Sequence, residues 1–469
     1  MNEVPTETAK WLDQVLARLD ANADDGLTRL KEVLRIPSVS ADPAHAADCA
    51  RAAAWFRDQL AELEFDAAVH PTGGHPIVLA HRPGPPGARH ILIYGHYDVQ
   101  PPDPLALWDS PPFDPQIVNG PHGARVVARG AVDDKGQCLM WLEALRAWHD
   151  VAGGPPIGVT VVVEGEEEVM SVHLDRFLAD NRNALGADLA VISDTLMWNI
   201  DTPAFTTRLR GNVLTEVTLR GASRDLHSGL FGGSALNPIN SLVRILGALH
   251  DEEGRVTLPG FYDGVVDLTA AEAREWDALG FDESRFLGDV GLSVPSGERG
   301  RGALERLWAR PTADINGIWG GYQGKGSKTV IAAEAGAKIS FRLVSGQDPD
   351  RVAAAFEQFC RERAPDDATL HVEVSAAIPA HTFGGDRPWL ACAHNALAHE
   401  YARPAVGVGG SLPVVESLSR ILGLETLLMG FGLEDDKFHS PNEKFELHCL
   451  RKGARSHVRL FAELAGMQV

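Results

Sequence analysis

The sequence predicts an α/β fold: a discontinuous domain with a central, mostly parallel sheet flanked by helices, interrupted by an inserted α+β domain. Apolar runs at Ile91–Val99, Pro156–Val163 and Ala187–Ser193 alternate with helical patterns, as parallel strands buried on both faces require. Around Arg208–Gly211 the character changes, and Asn212–Gly221, Ala337–Val344 and Thr369–Ala376 alternate apolar with polar residues like half-exposed strands. The first character resumes after Ile378-Pro379-Ala380, so the expected boundaries are 1–209 with 379–469 for one domain and 210–378 for the insertion.

Taken in order, Leu12, Val15, Leu16 and Leu19 space a helix over Glu7–Ala23, and Leu27, Leu30, Val33 and Leu34 space a second that ends at Pro37. A third helix runs over Asp48–Leu63, with a short strand at Pro76–His81. The strand opening at Ile91 stops at Gly95 and is followed by His96 and Asp98. Residues i and i+2 of an extended chain share a face, so Asp98 is placed to hold the His96 ring. Pro101–Pro115 carries six prolines and reads as a loop held by Trp108 and Phe113. Asp133 and Asp134 precede a helix through Leu139, Leu142, Leu145 and Trp148, where exposed backbone N–H groups favour a carboxylate. Helices are expected at Leu236–Leu249, Asp350–Arg363, Trp389–Tyr401, Pro413–Leu422 and Leu447–Leu464, and an apolar run at Glu425–Gly430. Residues Gly254–Ala309 give weak local signals.

With 469 residues and 44% apolar composition, the chain has material for two or three cores. Lys+Arg 43 against Asp+Glu 64 leaves a net charge of -21, which repels phosphate backbones and argues against nucleic acid as a partner. Five cysteines without a CxxC pair suit a reducing compartment. The first eighteen residues hold no apolar leader and no run reaches membrane length, so a cytoplasmic protein without a membrane partner is expected.

Strand ends and loops each deliver one metal-ligating side chain: His96, Asp133, Glu168, Asp194 and His439. Two histidines and three carboxylates, one able to bridge, suit a pair of divalent cations. Ligands of nitrogen and oxygen without cysteine point to zinc, with manganese or cobalt as alternatives.

The stretches Gly95-His96-Tyr97-Asp98-Val99-Gln100, Asp133-Asp134-Lys135-Gly136, Glu164-Gly165 with Glu167-Glu168, Asp225-Leu226-His227-Ser228-Gly229 and Gly409-Gly410-Ser411-Leu412-Pro413 resemble the dinuclear metallopeptidases. That family includes carnosine dipeptidases, carboxypeptidase G and succinyl-diaminopimelate desuccinylase, and the nearest branch is that of the cytosolic nonspecific dipeptidases. The resemblance runs from Ile36-Pro37-Ser38-Val39-Ser40 to the last helix. It implies that Asp133 bridges two metals, that His96 and Asp194 complete one site and Glu168 and His439 the other. It makes Asp98 the orienter of His96, Glu167 the general base acting on a metal-activated water, and His227 the oxyanion donor reaching across a homodimer. Arg342, Thr329 and Ser411 become substrate contacts, Arg342 for a carboxylate, although a solvated strand arginine fits the pattern nearly as well. The insertion becomes a lid and dimerisation domain.

The implied function is a dipeptidase, with an amidohydrolase acting on N-acyl or N-carbamoyl amino acids as the alternative and a non-catalytic binding protein as the remote one. Departures from the family pattern lie near the substrate. Val169-Met170 stand where small residues are usual, Val408 stands where a charge is usual, and Asn316–Gly321 matches loosely.

Overall fold

A computed structural model describes residues 6–382, 388–401, 405–409 and 412–467. The chain divides into two compact units, Met1–Thr207 with Phe383–Gly407 and Leu412–Val469, and Arg208–Thr382 with Val408–Ser411.

The first unit is built on a six-stranded sheet in the spatial order Asp66–His70, Ile77–Arg82, Gly158–Glu164, His90–His96, Leu189–Ile192, Thr426–Leu428. Its last four strands are mutually parallel, and the first two add an antiparallel edge. Every residue of Gly158–Glu164 and of Leu189–Ile192 is buried, which is why these strands read as continuous apolar runs. The Lys135–Ala152 helix is buried along most of its length, with Trp141 and Trp148 inside. Side chains of this size each contribute on the order of 3 kcal/mol of burial. The C-terminal helix Leu447–Ala465 packs beside it, and Trp148 Nε1 donates to the Val458 carbonyl at 3.2 Å. The N-terminal helix Thr6–Ala21 joins the same layer, where Arg455 pairs with Asp20 at 2.7 Å.

The second unit holds a four-stranded antiparallel sheet in the order Thr312–Gly320, Glu334–Leu343, Gly211–Arg220, Thr369–Ile378. Gly211–Arg220 alternates buried with half-buried positions, and Val213, Val217, Ile339 and Phe341 form a core with Leu242, Ile245 and Phe356 from two helices. Thr312–Gly320 is an edge strand that the sequence pattern hides. Asn316 and Gly317 break its alternation, and the register slips between Ile315 and Gly317 as at a β-bulge. The weak stretch 254–309 contains three short helices, Ala270–Asp277, Glu283–Asp289 and Ala303–Trp308. Among the described residues no helix is long and apolar enough to cross a membrane.

Candidate metal centre

Register sets the first part of the site. Tyr94 pairs with Ile192 and His96 with Glu164, so His96 and Asp194, each two residues further on, leave the sheet at one level. This is the carboxyl edge of parallel strands, where α/β sheets place their ligands. Asp133 comes from the turn before the Lys135–Ala152 helix, Glu167 and Glu168 from a single 3-10 turn after Gly158–Glu164, and His439 from the loop following the Thr426–Leu428 strand.

These residues form two groups that share Asp133. His96, Asp133 and Asp194 offer ligand atoms within 4.8 Å of one another, and so do Asp133, Glu168 and His439. Asp133 Oδ1 lies 3.2 Å from His96 Nε2, and Oδ2 lies 2.9 Å from His439 Nε2. Each oxygen of one carboxylate therefore faces a different histidine. Asp194 Oδ2 stands 3.7 Å from His96 Nε2, and Glu168 Oε2 stands 3.4 Å from His439 Nε2.

The His96 ring is fixed from its other side. Nδ1 donates to the backbone carbonyl of Asp98 at 3.1 Å, with Asp98 Oδ1 at 3.4 Å, which leaves Nε2 as the ligating nitrogen. Asp134 is the helix N-cap by position, yet its side chain makes no cap. It turns inward and accepts from the His96 amide at 3.2 Å.

The electrostatics calls for positive charge. Burial pushes Glu168 up to about 9, with Asp133 adding to the effect. Burial likewise holds Glu167 well above the ordinary carboxylate range, with Asp194, Glu168 and Asp133 reinforcing it against His96. Asp194 moves up for the same first reason. Asp133 goes the other way, because its contacts with His439 and His96 outweigh its own burial. His96 Nε2 is buried and makes no aligned hydrogen bond. Crowded carboxylates beside an orphaned imidazole nitrogen are a donor set that fits divalent cations.

Three expected substrate residues lie in the second unit. His227 pairs in register with Val330, and the Ser228 amide donates to the Thr329 carbonyl at 3.0 Å, which brings His227 and Thr329 together. His227 is exposed, and its Nδ1 accepts from the Gly229 amide at 3.0 Å. Arg342 sits on Glu334–Leu343 opposite Asn212 and Thr312. Ser411 lies outside the described residues.

Sequence reasoning missed several supporting groups. Glu166, next to the expected base, accepts from the His75 amide at 3.1 Å and holds His173 Nδ1 at 2.8 Å, tying down the turn that carries Glu167 and Glu168. Arg210 stands near Arg342 and is lowered to about 10 by burial and by that second guanidinium. The acidic run at 164–168 and the Arg208–Arg210 pair were the available signals.

Comparison with known proteins bears on the family and the fold. The model of peptidase family M20/M25/M40 matches residues 92–463. The chain is 29% identical to the Cys-Gly metallodipeptidase dug1 of Schizosaccharomyces pombe, over 97% of this chain and 99% of that protein. It is 29% identical to the Beta-Ala-His dipeptidase of Homo sapiens, over 98% and 94%. The solved structure of the di-peptidase Dug1p from Saccharomyces cerevisiae superposes with a TM-score of 0.83 at 26% identity, covering 98% of this chain and 99% of that one. The chain belongs to peptidase family M20/M25/M40.

Proposed function

We propose that this protein is a metal-dependent dipeptidase whose two cations share Asp133. His96 and Asp194 complete one coordination group, and Glu168 and His439 the other. The observation that carries the reading is the split of the Asp133 carboxylate between His96 and His439. The names of its relatives, Cys-Gly and Beta-Ala-His dipeptidases, support a dipeptide as substrate. Zinc suits the mixed nitrogen and oxygen donors, with manganese or cobalt as alternatives.

When bound, the cations supply Lewis-acid polarisation of water and of the scissile carbonyl, together with the positive charge that keeps the surrounding carboxyls ionised. Glu167 then takes the proton of the attacking water and returns it to the leaving amine. Its neighbour Glu168 is committed as a ligand, so the adjacent carboxylate is the one with free lone pairs. In neutral His227, Nδ1 accepts from Gly229, which puts the ring proton on Nε2 and makes that atom a donor for the developing oxyanion. Arg342, with Thr329 and Ser411, binds the substrate, the guanidinium taking its carboxylate in a bidentate contact. The 210–378 domain serves as lid and dimerisation domain, and His227 acts on the site of a second copy in a cytoplasmic homodimer.

A panel of free dipeptides and N-acyl amino acids, assayed with defined divalent metals, tests this. Dipeptide turnover that chelators abolish and zinc restores is the expected result. Turnover confined to N-acylated amino acids would transfer the assignment to an amidohydrolase.

A further inference from the structure

Glu443 is wholly buried, and its carboxylate collects four donors. Oε2 accepts from Arg129 Nη1 at 2.7 Å and from the Gly130 amide at 2.9 Å. Oε1 accepts from the Val132 amide at 2.9 Å and the Asp133 amide at 3.2 Å. Two donors on each oxygen leave no lone pair for a metal. Around this one group the turn 129–133 is wrapped, with Gly130 at φ 81 where a side chain would be strained.

The same short segment is anchored on two further sides. The Glu443 carbonyl accepts from the Ala128 amide at 3.1 Å, and Asn442 accepts from the Asp109 amide at 2.8 Å while donating to the Leu107 carbonyl at 2.9 Å. Arg129 lies over the Trp108 ring at 5.6 Å and reaches the Pro101 carbonyl at 3.3 Å. Glu443 follows His439 by four residues, so it joins the loop of His439 to the backbone of Asp133.

Stability alone is a weak reason for such an arrangement, because buried ion pairs contribute little net free energy over apolar packing. What it does accomplish is to fix two side chains from distant parts of the sequence at one separation. We propose that Glu443 is a positioning residue for metal binding, setting Asp133 and His439 relative to one another without touching metal or substrate. The inference rests on the reading of Asp133 and His439 as ligands.

Calorimetric titration of zinc into the chelator-stripped full-length chain tests it, with Glu443→Gln, Glu443→Asp and the remote Glu143→Gln compared with wild type. Glutamine turns its NH2 towards amide or guanidinium donors and forfeits the bonds on one side. Aspartate keeps the charge but falls short by a methylene. Both variants are expected to bind zinc about 10- to 100-fold more weakly, with kcat falling and KM little changed. Glu143, held by Arg29 at 2.7 and 2.6 Å, reports the loss of a part-buried ion pair away from the site. Glu143→Gln is expected to lower the thermal midpoint and leave zinc affinity unchanged. Zinc isotherms of natively folded Glu443 variants that superimpose on wild type would overturn the proposal, as would equal weakening by Glu143→Gln. Should Glu443→Gln fail to fold, Glu443→Asp decides the matter. A wild-type chain that takes up no zinc sinks the metal reading and this inference together. Uptake by wild type with unchanged Glu443 variants sinks the inference alone.

Discussion

The amide of Glu168 donates to Asp98 Oδ2 at 3.1 Å, while Oδ1 of the same carboxylate stands 3.4 Å from His96 Nδ1. One buried side chain thus links the strand that delivers His96 to the turn that delivers Glu167 and Glu168. Asp98→Ala is expected to weaken divalent-cation binding about 10- to 100-fold. Asp98→Asn, which keeps an acceptor for the Glu168 amide, loses less. Metal titration of the three chains gives the ranking, and equal affinities would remove Asp98 from the support of the site.

Glu167→Gln separates proton transfer from metal binding. The amide matches the carboxylate in size but accepts no proton, so turnover is expected to fall by about 10^2 to 10^4-fold. Metal content, measured by elemental analysis of the purified variant, stays at the wild-type value. Loss of metal alongside activity would make Glu167 a ligand instead of the base.

How much of this could be read in advance depended on the element. Strands buried on both faces announce themselves as continuous apolar runs, and a histidine or carboxylate at the end of such a run has few structural reasons to be there. The placement of His96, Glu168 and Asp194 at or just beyond the strand ends was therefore legible, and with it the fold class. Thr312–Gly320 was not, because Asn316 and Gly317 interrupt its alternation and a bulge shifts its register. The Gln116–Gly120 and Gly123–Val127 hairpin was also missed, being short, half exposed and placed directly after a proline-rich loop. Glu443, Glu166 and Asp134 stayed hidden for another reason. Each acts mainly on backbone amides, and which amides converge on a carboxylate depends on loop conformation that spacing does not encode.

Acid sensitivity has one identifiable source in His457. Its Nδ1 donates to the Gly453 carbonyl at 2.8 Å, and Nε2 sits 3.0 Å from Ser193 Oγ with no exposure to solvent. Burial lowers its pKa to about 4 from an ordinary 6.5. As pH falls the unfolded chain takes up this proton first, so the contribution is complete above about 6.5 and is lost as pH drops towards about 4. The full loss is on the order of 3 kcal/mol. Denaturant unfolding at pH 7 and pH 5 is expected to show a larger difference in wild type than in His457→Gln. Equal differences would exclude His457 as the source.

Gly136 is the second residue of the helix behind Asp133, where no side chain has room. A Cβ there would stand 1.9 Å from the Ala131 carbonyl oxygen and 2.8 Å from the Phe445 ring. Gly136→Ala is expected to cost about 1–3 kcal/mol in denaturant unfolding. An unchanged midpoint would mean that the turn carrying Asp133 relaxes freely.

Whether one carboxylate serves two cations is decided by the zinc stoichiometry of wild type and Asp133→Asn. Calorimetry on the chelator-stripped protein is expected to give two zinc ions per chain in wild type and weakening of both sites in Asp133→Asn. A single zinc ion in wild type, or a variant that loses one site while the other keeps its affinity, would mean that Asp133 is not shared between two cations.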